Sequence, residues 1–262
     1  MAIVADILSF VETIAPRSMK MDWDNVGLNV GHRDKEVKKI LVALDPFSHV
    51  CQEAKAFGAD LLVTHHVLIF RPGFVTDASA QGRNTLFLIE NGIAHINAHT
   101  NLDLAPGGVN DCLAAALELE NVNVLNPMGV DENGQEWGLL RSGYVKEQSL
   151  SEFLAHVKEK LGCEGLRYED SGKPVRKVAV GGGSCCDEMQ EAVEAGCDTL
   201  VTGDAKYNDF WDARDLGLNL IDAGHFYTEN PVIPYLAGKI AAAFPDVEVK
   251  ISETHRDCMK FY

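Results

Sequence analysis

The sequence predicts an α/β protein made of two related α/β lobes, each a mainly parallel sheet flanked by helices. Three observations carry this. Residues 38–45 and 61–64 are apolar runs that read as core strands, and the helical stretch 48–57 lies between them. A β-α-β order with connections this short is the signature of a parallel sheet. Residues 38–66 also align without a gap onto 176–204 at an offset of 138, with ten identities in 29 positions and Val-Thr at the same strand end. That agreement reads as an internal duplication. Finally, 262 residues with 46% hydrophobic and 24% charged content give an ordinary globular chain with room for a sizeable core.

In chain order, Ile3, Ile7, Leu8, Val11 and Ile14 fall at helical spacing, and Pro16 ends that helix. The segment Met21 to Gly31 follows, with Trp23, Asp24 and Asn25 as loop packing or as a polar rim over a cleft. After the 38–45 strand and the 48–57 helix, Gly58 is a plausible left-handed helix end. Residues 84–91 read as a helix, 93–98 as a strand and 109–119 as a helix. The polar, turn-rich stretch 121–136 is a candidate boundary, giving lobes of 1–125 and 126–262 that interleave without an independent linker. Then come a strand at 137–146 and a helix at 150–161, with Ser149 or Ser151 able to cap it. The duplication makes Thr64-His-His66 equivalent to Thr202-Gly-Asp204, and places 99–103 opposite 225–229. A site built from both halves then lies between the lobes, a common location for pockets.

A net charge of −16 disfavours non-specific binding to nucleic acid or anionic membranes. Seven cysteines, an odd number without a Cys-x-x-Cys, read as free thiols, including the adjacent Cys185 and Cys186. The first residues lack a basic region and a cleavage site, and no apolar run reaches the ~18 residues a membrane span needs. A cytoplasmic protein is expected.

Nine histidines occur. His32, His49, His156 and His255 have no companions at ligand spacing, and His95 sits inside a strand as a core residue. His65, His66, His99 and His225 fall at strand ends, where open α/β sheets place ligands. Asp103 lies four residues past His99, and Glu229 four past His225. If 225–229 is helical, that spacing turns both side chains the same way. Three imidazoles and two carboxylates suit divalent Zn, Fe, Mn, Co or Ni better than Mg or Ca. One ion needs about four ligands. The five residues His65, His66, Asp103, His225 and Glu229 therefore point to two metal ions. His99, Thr100, Asn101, Asp204 and Tyr227 are the nearby candidates for supporting the ligands or moving protons. No Walker motif, dinucleotide fingerprint or nucleophile elbow is present.

The blocks Trp23-Asp-Asn-Val-Gly-Leu-Asn-Val-Gly31, Gly58-Ala-Asp-Leu-Leu-Val-Thr-His-His66, Ala98-His-Thr-Asn-Leu-Asp103, Gly107-Gly-Val-Asn-Asp111, Val201-Thr-Gly-Asp204 and Ile221-Asp-Ala-Gly-His-Phe-Tyr-Thr-Glu229 follow one another in this order. Together they resemble the GTP cyclohydrolase 1 type 2 family, also called Nif-three-like dinuclear metal-centre proteins. The resemblance runs nearly end to end and fits the compact form without an inserted domain. It implies a di-metal site on the same five residues and a toroidal homohexamer. It also implies a metal-dependent hydrolase for a small molecule, a nucleotide or phosphoester being the leading class, attacked at C8 of a purine ring or at phosphorus. The competing reading is a non-enzymatic, metal-bound scaffold or regulatory protein.

Overall fold

The computed structural model describes residues 1–71 and 73–262. Its contacts divide the chain into two compact units, 1–105 with 233–256, and 106–232 with 257–262.

The first unit holds a five-stranded sheet. Its order is Glu248–Ile251, Lys39–Ala43, Leu61–Thr64, Ala94–Asn97 and Gly27–Val30, parallel throughout except for the last strand. The predicted 48–57 helix is there as Ser48–Phe57, and Gly58 ends it in the left-handed region at φ 73°. The Leu61–Thr64 strand is buried at every residue. A parallel strand covered on both faces reads as a continuous apolar run, as this one does. One face packs Leu41, Ala43 and Leu62 against Val50, Cys51, Ala54 and Leu88 of the Ser48–Phe57 and Ala80–Glu90 helices. That second helix begins before the expected residue 84, because the Ser79 hydroxyl accepts from the Gly82 backbone N–H and caps it.

The second unit holds a six-stranded sheet ordered Arg167–Glu169, Asn219–Asp222, Thr199–Thr202, Val175–Val180, Leu140–Gln148 and Glu120–Leu125. Its three central strands are parallel and the outer pairings antiparallel. Val178, Val180, Val201 and Ile221 pack on one face with Leu113, Leu117, Phe153 and Val157. On the other face Ala179, Leu200 and Leu220 meet Met189, Ala192 and Ala213. Helices therefore cover both faces. The polar stretch expected to be a boundary begins with the Glu120–Leu125 strand, paired to Leu140–Gln148, so these residues belong to the second unit. It is an edge strand whose residues are exposed or half-buried up to the buried Leu125, which explains its polar sequence.

Aligned positions carry the same local contacts in each unit. The Asp60 carboxylate accepts from the backbone N–H groups of Lys38 and Lys39, and Asp198 accepts from those of Arg176 and Lys177. Gly58 and Gly196 both hold positive φ after their helices. All seven cysteines are free thiols, and no helix among the described residues is long and apolar enough to cross a membrane.

One set of contacts ties the segment after the Glu248–Ile251 strand to the Ser48–Phe57 helix of the first unit. Glu53 accepts from the Ser252 and Thr254 hydroxyls at 2.5 and 2.7 Å and from the Glu253 and Thr254 backbone N–H groups at 2.9 and 3.1 Å. Just beyond, His255 Nδ1 accepts from the Leu44 N–H, one residue before Asp45. Burial pushes the Glu53 carboxyl up, but these four donors outweigh it and hold it at about 2, below its ordinary 4.5. A folded-state value below the unfolded one stabilises the protein above pH 4.5, and that stability disappears as pH falls towards 2. Glu53→Gln turns an amide donor towards these donors, so it is expected to cost about 1–3 kcal/mol at neutral pH. In urea unfolding, the gap between wild type and variant should narrow as pH falls from 4.5 towards 2; a pH-independent gap would remove the carboxylate from the account.

Candidate metal centre

In the first unit, three histidines gather where parallel strands end. His65 and His66 directly follow Leu61–Thr64, and His99 follows Ala94–Asn97 by two residues. Their ring centroids lie 4.9 Å apart for His65 and His66, 5.3 Å for His65 and His99, and 5.6 Å for His66 and His99. One nitrogen of each falls within 4.8 Å of the others, close enough to hold an ion.

The other nitrogen of each ring is taken up. His65 Nδ1 lies 2.8 Å from the Ala98 carbonyl, His66 Nδ1 2.6 Å from Asp45 Oδ1, and His99 Nδ1 2.9 Å from Asp24 Oδ1. An oxygen on Nδ1 fixes the tautomer with its proton there and presents Nε2 as the donor atom, the arrangement metal-binding histidines use. Asp103 sits on the short Thr100–Leu104 helix, buried, with Oδ1 3.5 Å from His65 Nε2.

The supports of this cluster are themselves fixed. Asp24 is buried and accepts from the Thr100 backbone N–H at 3.0 Å and hydroxyl at 2.5 Å, as well as from His99. Burial pushes its carboxyl up, yet the His99 and Thr100 hydrogen bonds and the His99 charge prevail and hold it at about 2. Asp24 is therefore ionised at neutral pH. Asn101 Oδ1 accepts from the His99 N–H, and its amide donates to Ala15 O. Behind the pair, the Thr64 hydroxyl donates to His66 O at 2.6 Å and so accepts from His95 Nε2 at 2.8 Å. His95 is the buried core histidine expected from its place in a strand; burial lowers it to about 3, so it is neutral.

In the second unit the predicted i, i+4 pair exists on the His225–Glu229 helix. His225 Nε2 lies 3.1 Å from Glu229 Oε1, and His225 Nδ1 lies 2.7 Å from Asp204 Oδ2. Asp204 holds a left-handed backbone at φ 53°, which aspartate tolerates better than most residues. Asp222 sets the loops on either side. Its carboxylate accepts from the backbone N–H groups of Ala205 and Gly224 and pairs with Arg167.

A glycine-rich turn, 181–183, wraps Glu229. A Cβ on Gly183 would stand 2.3 Å from Glu229 Oε1 and 3.1 Å from His225 Nε2, and one on Gly182 would stand 3.2 Å from Glu229 Cγ. Asn110 pins this turn, accepting from Gly182 N–H at 2.6 Å while its amide donates to Leu139 O. The Gly183 N–H donates to Thr228 Oγ1.

The first unit thus gathers His65, His66, His99 and Asp103, with Thr100 and Asn101 behind them. The second gathers His225, Glu229 and Asp204. Tyr227 differs: the charged groups acting on its hydroxyl are Asp257, Glu164 and Lys260, and burial raises it. Asp45, Asp222, Asn110 and Gly183 escaped the sequence reading. A signal for one pair was present. Asp45 aligns with Gly183 at the 138-residue offset, as His66 aligns with Asp204. Each unit thus places one carboxylate beside a histidine at its strand ends, Asp45 by His66 and Asp204 by His225, although only the His66 and Asp204 positions align with each other. The donor chemistry, imidazole Nε2 and carboxylate oxygen, fits a divalent transition ion.

The Duf34/NIF3 (NGG1p interacting factor 3) family model matches residues 2–258. A protein of Clostridium perfringens named GTP cyclohydrolase 1 type 2 homolog is 38% identical over 260 residues, covering 98% of each chain. One of the same name from Methanocaldococcus jannaschii is 33% identical over 227 residues, covering 86% of this chain and 88% of its own. Among solved structures, a Bacillus cereus protein related to NIF3 superposes with a TM-score of 0.93 at 28% identity, covering 100% of this chain and 99% of its own. Reduced HcgD from Methanocaldococcus jannaschii gives 0.80 at 32% identity, covering 96% and 98%.

Proposed function

The chain belongs to the Duf34/NIF3 family, and on that premise we propose that it is a divalent-metal-dependent hydrolase with His65, His66, Asp103, His225 and Glu229 as ligands of two ions. One observation carries the reading: His65, His66, His99 and His225 each have Nδ1 held by an oxygen, so each presents Nε2. A merely structural cluster has no need of this shared orientation. When bound, two divalent ions supply Lewis acidity and lower the pKa of water towards neutrality.

The chain's own residues do the rest. Asp45 and Asp204 orient His66 and His225 and raise the basicity of their Nε2 atoms. His99 is the proton-transfer group of the proposal. Asp24 holds its Nδ1 proton and stabilises the imidazolium, which leaves Nε2 to exchange a proton with substrate. Thr100 and Asn101 keep Asp24 and the His99 backbone in place. The substrate class is a nucleotide or phosphoester, and the name of the curated relatives favours the nucleotide.

The test is a turnover screen. Metal-loaded and chelated protein are offered nucleotides and phosphoesters, with hydrolysis followed by chromatography and phosphate release. Turnover by the loaded protein and none by the chelated one is expected. Bound metal without turnover of any substrate would overturn the hydrolase and favour the scaffold reading.

A further inference from the structure

We infer that Trp23 and Phe70 form a stacking platform for a planar nitrogen heterocycle, the base of a nucleotide-like substrate, beside the histidine cluster. This rests on the hydrolase reading and names the part of the substrate that these residues take.

Both rings are exposed. Trp23 is 60% and Phe70 40% exposed, with centroids 5.6 Å apart at 46°. The indole also meets His99 edge-on at 6.2 Å and 73°, and the His99 ring lies 5.3 and 5.6 Å from those of His65 and His66. The apolar surface is therefore continuous with the cluster through one shared ring.

Open as they are, both rings hang from fixed backbone. Next to Trp23, Asp24 is buried and bound to His99 and Thr100. On its other side the Met21 N–H donates to Thr100 Oγ1 at 3.0 Å, and Lys20 Nζ donates to Met21 O at 3.0 Å. Next to Phe70, Ile69 O accepts from Asn25 Nδ2 at 2.6 Å and the Ile69 N–H donates to Asn29 Oδ1. Rings held this way lose little freedom when a ligand covers them.

Chemistry selects the occupant. An indole and a phenyl ring offer π faces and no charge, so they reward a flat, polarisable ring over a sugar or a phosphate. Stacking tolerates any base because every base has a π face. The edge of His99 then lies where polar atoms of such a ring can meet it. A nucleic-acid chain is the poorer occupant at a net charge of −16.

The experiment compares guanosine 5′-monophosphate with ribose 5-phosphate, which share a phosphate and differ in the ring. Binding to the metal-loaded full chain is measured by equilibrium dialysis, with metal content read on the same samples. Wild type is expected to prefer the nucleotide. Trp23→Ala and Trp23→Leu should weaken nucleotide binding by roughly tenfold or more. Ribose 5-phosphate binding and metal content should not change, and Trp23→Phe should keep most of the preference. Equal binding of the two probes by wild type, or unchanged nucleotide binding by the Ala and Leu variants, would overturn the platform. So would a sedimentation result in which Trp23→Ala breaks an assembly, because a second copy would then be the occupant. A metal-free native protein that still shows a Trp23-dependent preference would sink the metal reading and leave the platform standing.

Discussion

Replacing Glu229 by alanine is expected to strip the protein of metal and of any hydrolytic activity while leaving it folded. Glu229 is 4% exposed, and its Oε1 lies 3.1 Å from His225 Nε2. A carboxylate withdrawn from water at this depth needs a cation or strong donors beside it. Removing it takes a charged donor from the ligand set, and outer partners of such sites already change affinity by about 10–100-fold, so a direct ligand should cost at least about 100-fold. The fold should survive, because the short helix keeps its own bonds. Thr228 N–H donates to Gly224 O, Asn230 N–H to Phe226 O, and the Thr228 hydroxyl bonds within the turn. Elemental analysis and circular dichroism on the purified variant decide the matter. A folded Glu229→Ala protein with undiminished metal would remove Glu229 from the ligands.

Gly183→Ala should do nearly as much damage from a residue with no donor atom. The new Cβ would stand 2.3 Å from Glu229 Oε1, far inside contact distance, and 3.1 Å from His225 Nε2. The backbone at φ 67° is also strained for alanine, by roughly 1–2 kcal/mol. The turn cannot easily back away, since Asn110 holds Gly182 N–H, Thr228 Oγ1 holds Gly183 N–H, and Gly203 N–H donates to Gly183 O at 2.7 Å. Glu229 must therefore swing. Metal affinity should fall by at least about tenfold, and thermal stability with it. Gly58→Ala is the control: that glycine has φ 73° but open space around its Cβ position, so it should lose stability without losing metal. If the two variants bind metal equally well, the Gly183 turn does not shape the site.

The extent to which the sequence foretold these features follows from range. Strand exits could be read because burial on both faces writes itself as Leu-Leu-Val-Thr and Thr-Leu-Val-Thr, and histidine directly after such a run is conspicuous. The i, i+4 spacing of His225 and Glu229 needed only a helix. Partners that fold brings from afar left little trace. Asp24 is 75 residues from His99, Asn110 is 72 from Gly182, and no spacing along the chain pairs either with its partner. The Gly181-Gly-Gly183 run lacks the spacing of a dinucleotide fingerprint and carries no donor side chain. Its purpose is steric, and steric fit is invisible until Glu229 is seen against it. The Glu120–Leu125 strand was hidden because an exposed edge carries the polar residues of a loop. Asp45 was within reach, because it closes a predicted strand.

The central claim is that five side chains bind two metal ions, and the direct test is the metal stoichiometry of the native protein. Purified without chelator and analysed by inductively coupled plasma mass spectrometry, it is expected to carry, or to take up on titration, two transition ions per chain. Both should be lost in Glu229→Ala. A native protein that holds no such ion after saturation and dialysis would contradict the account at its root.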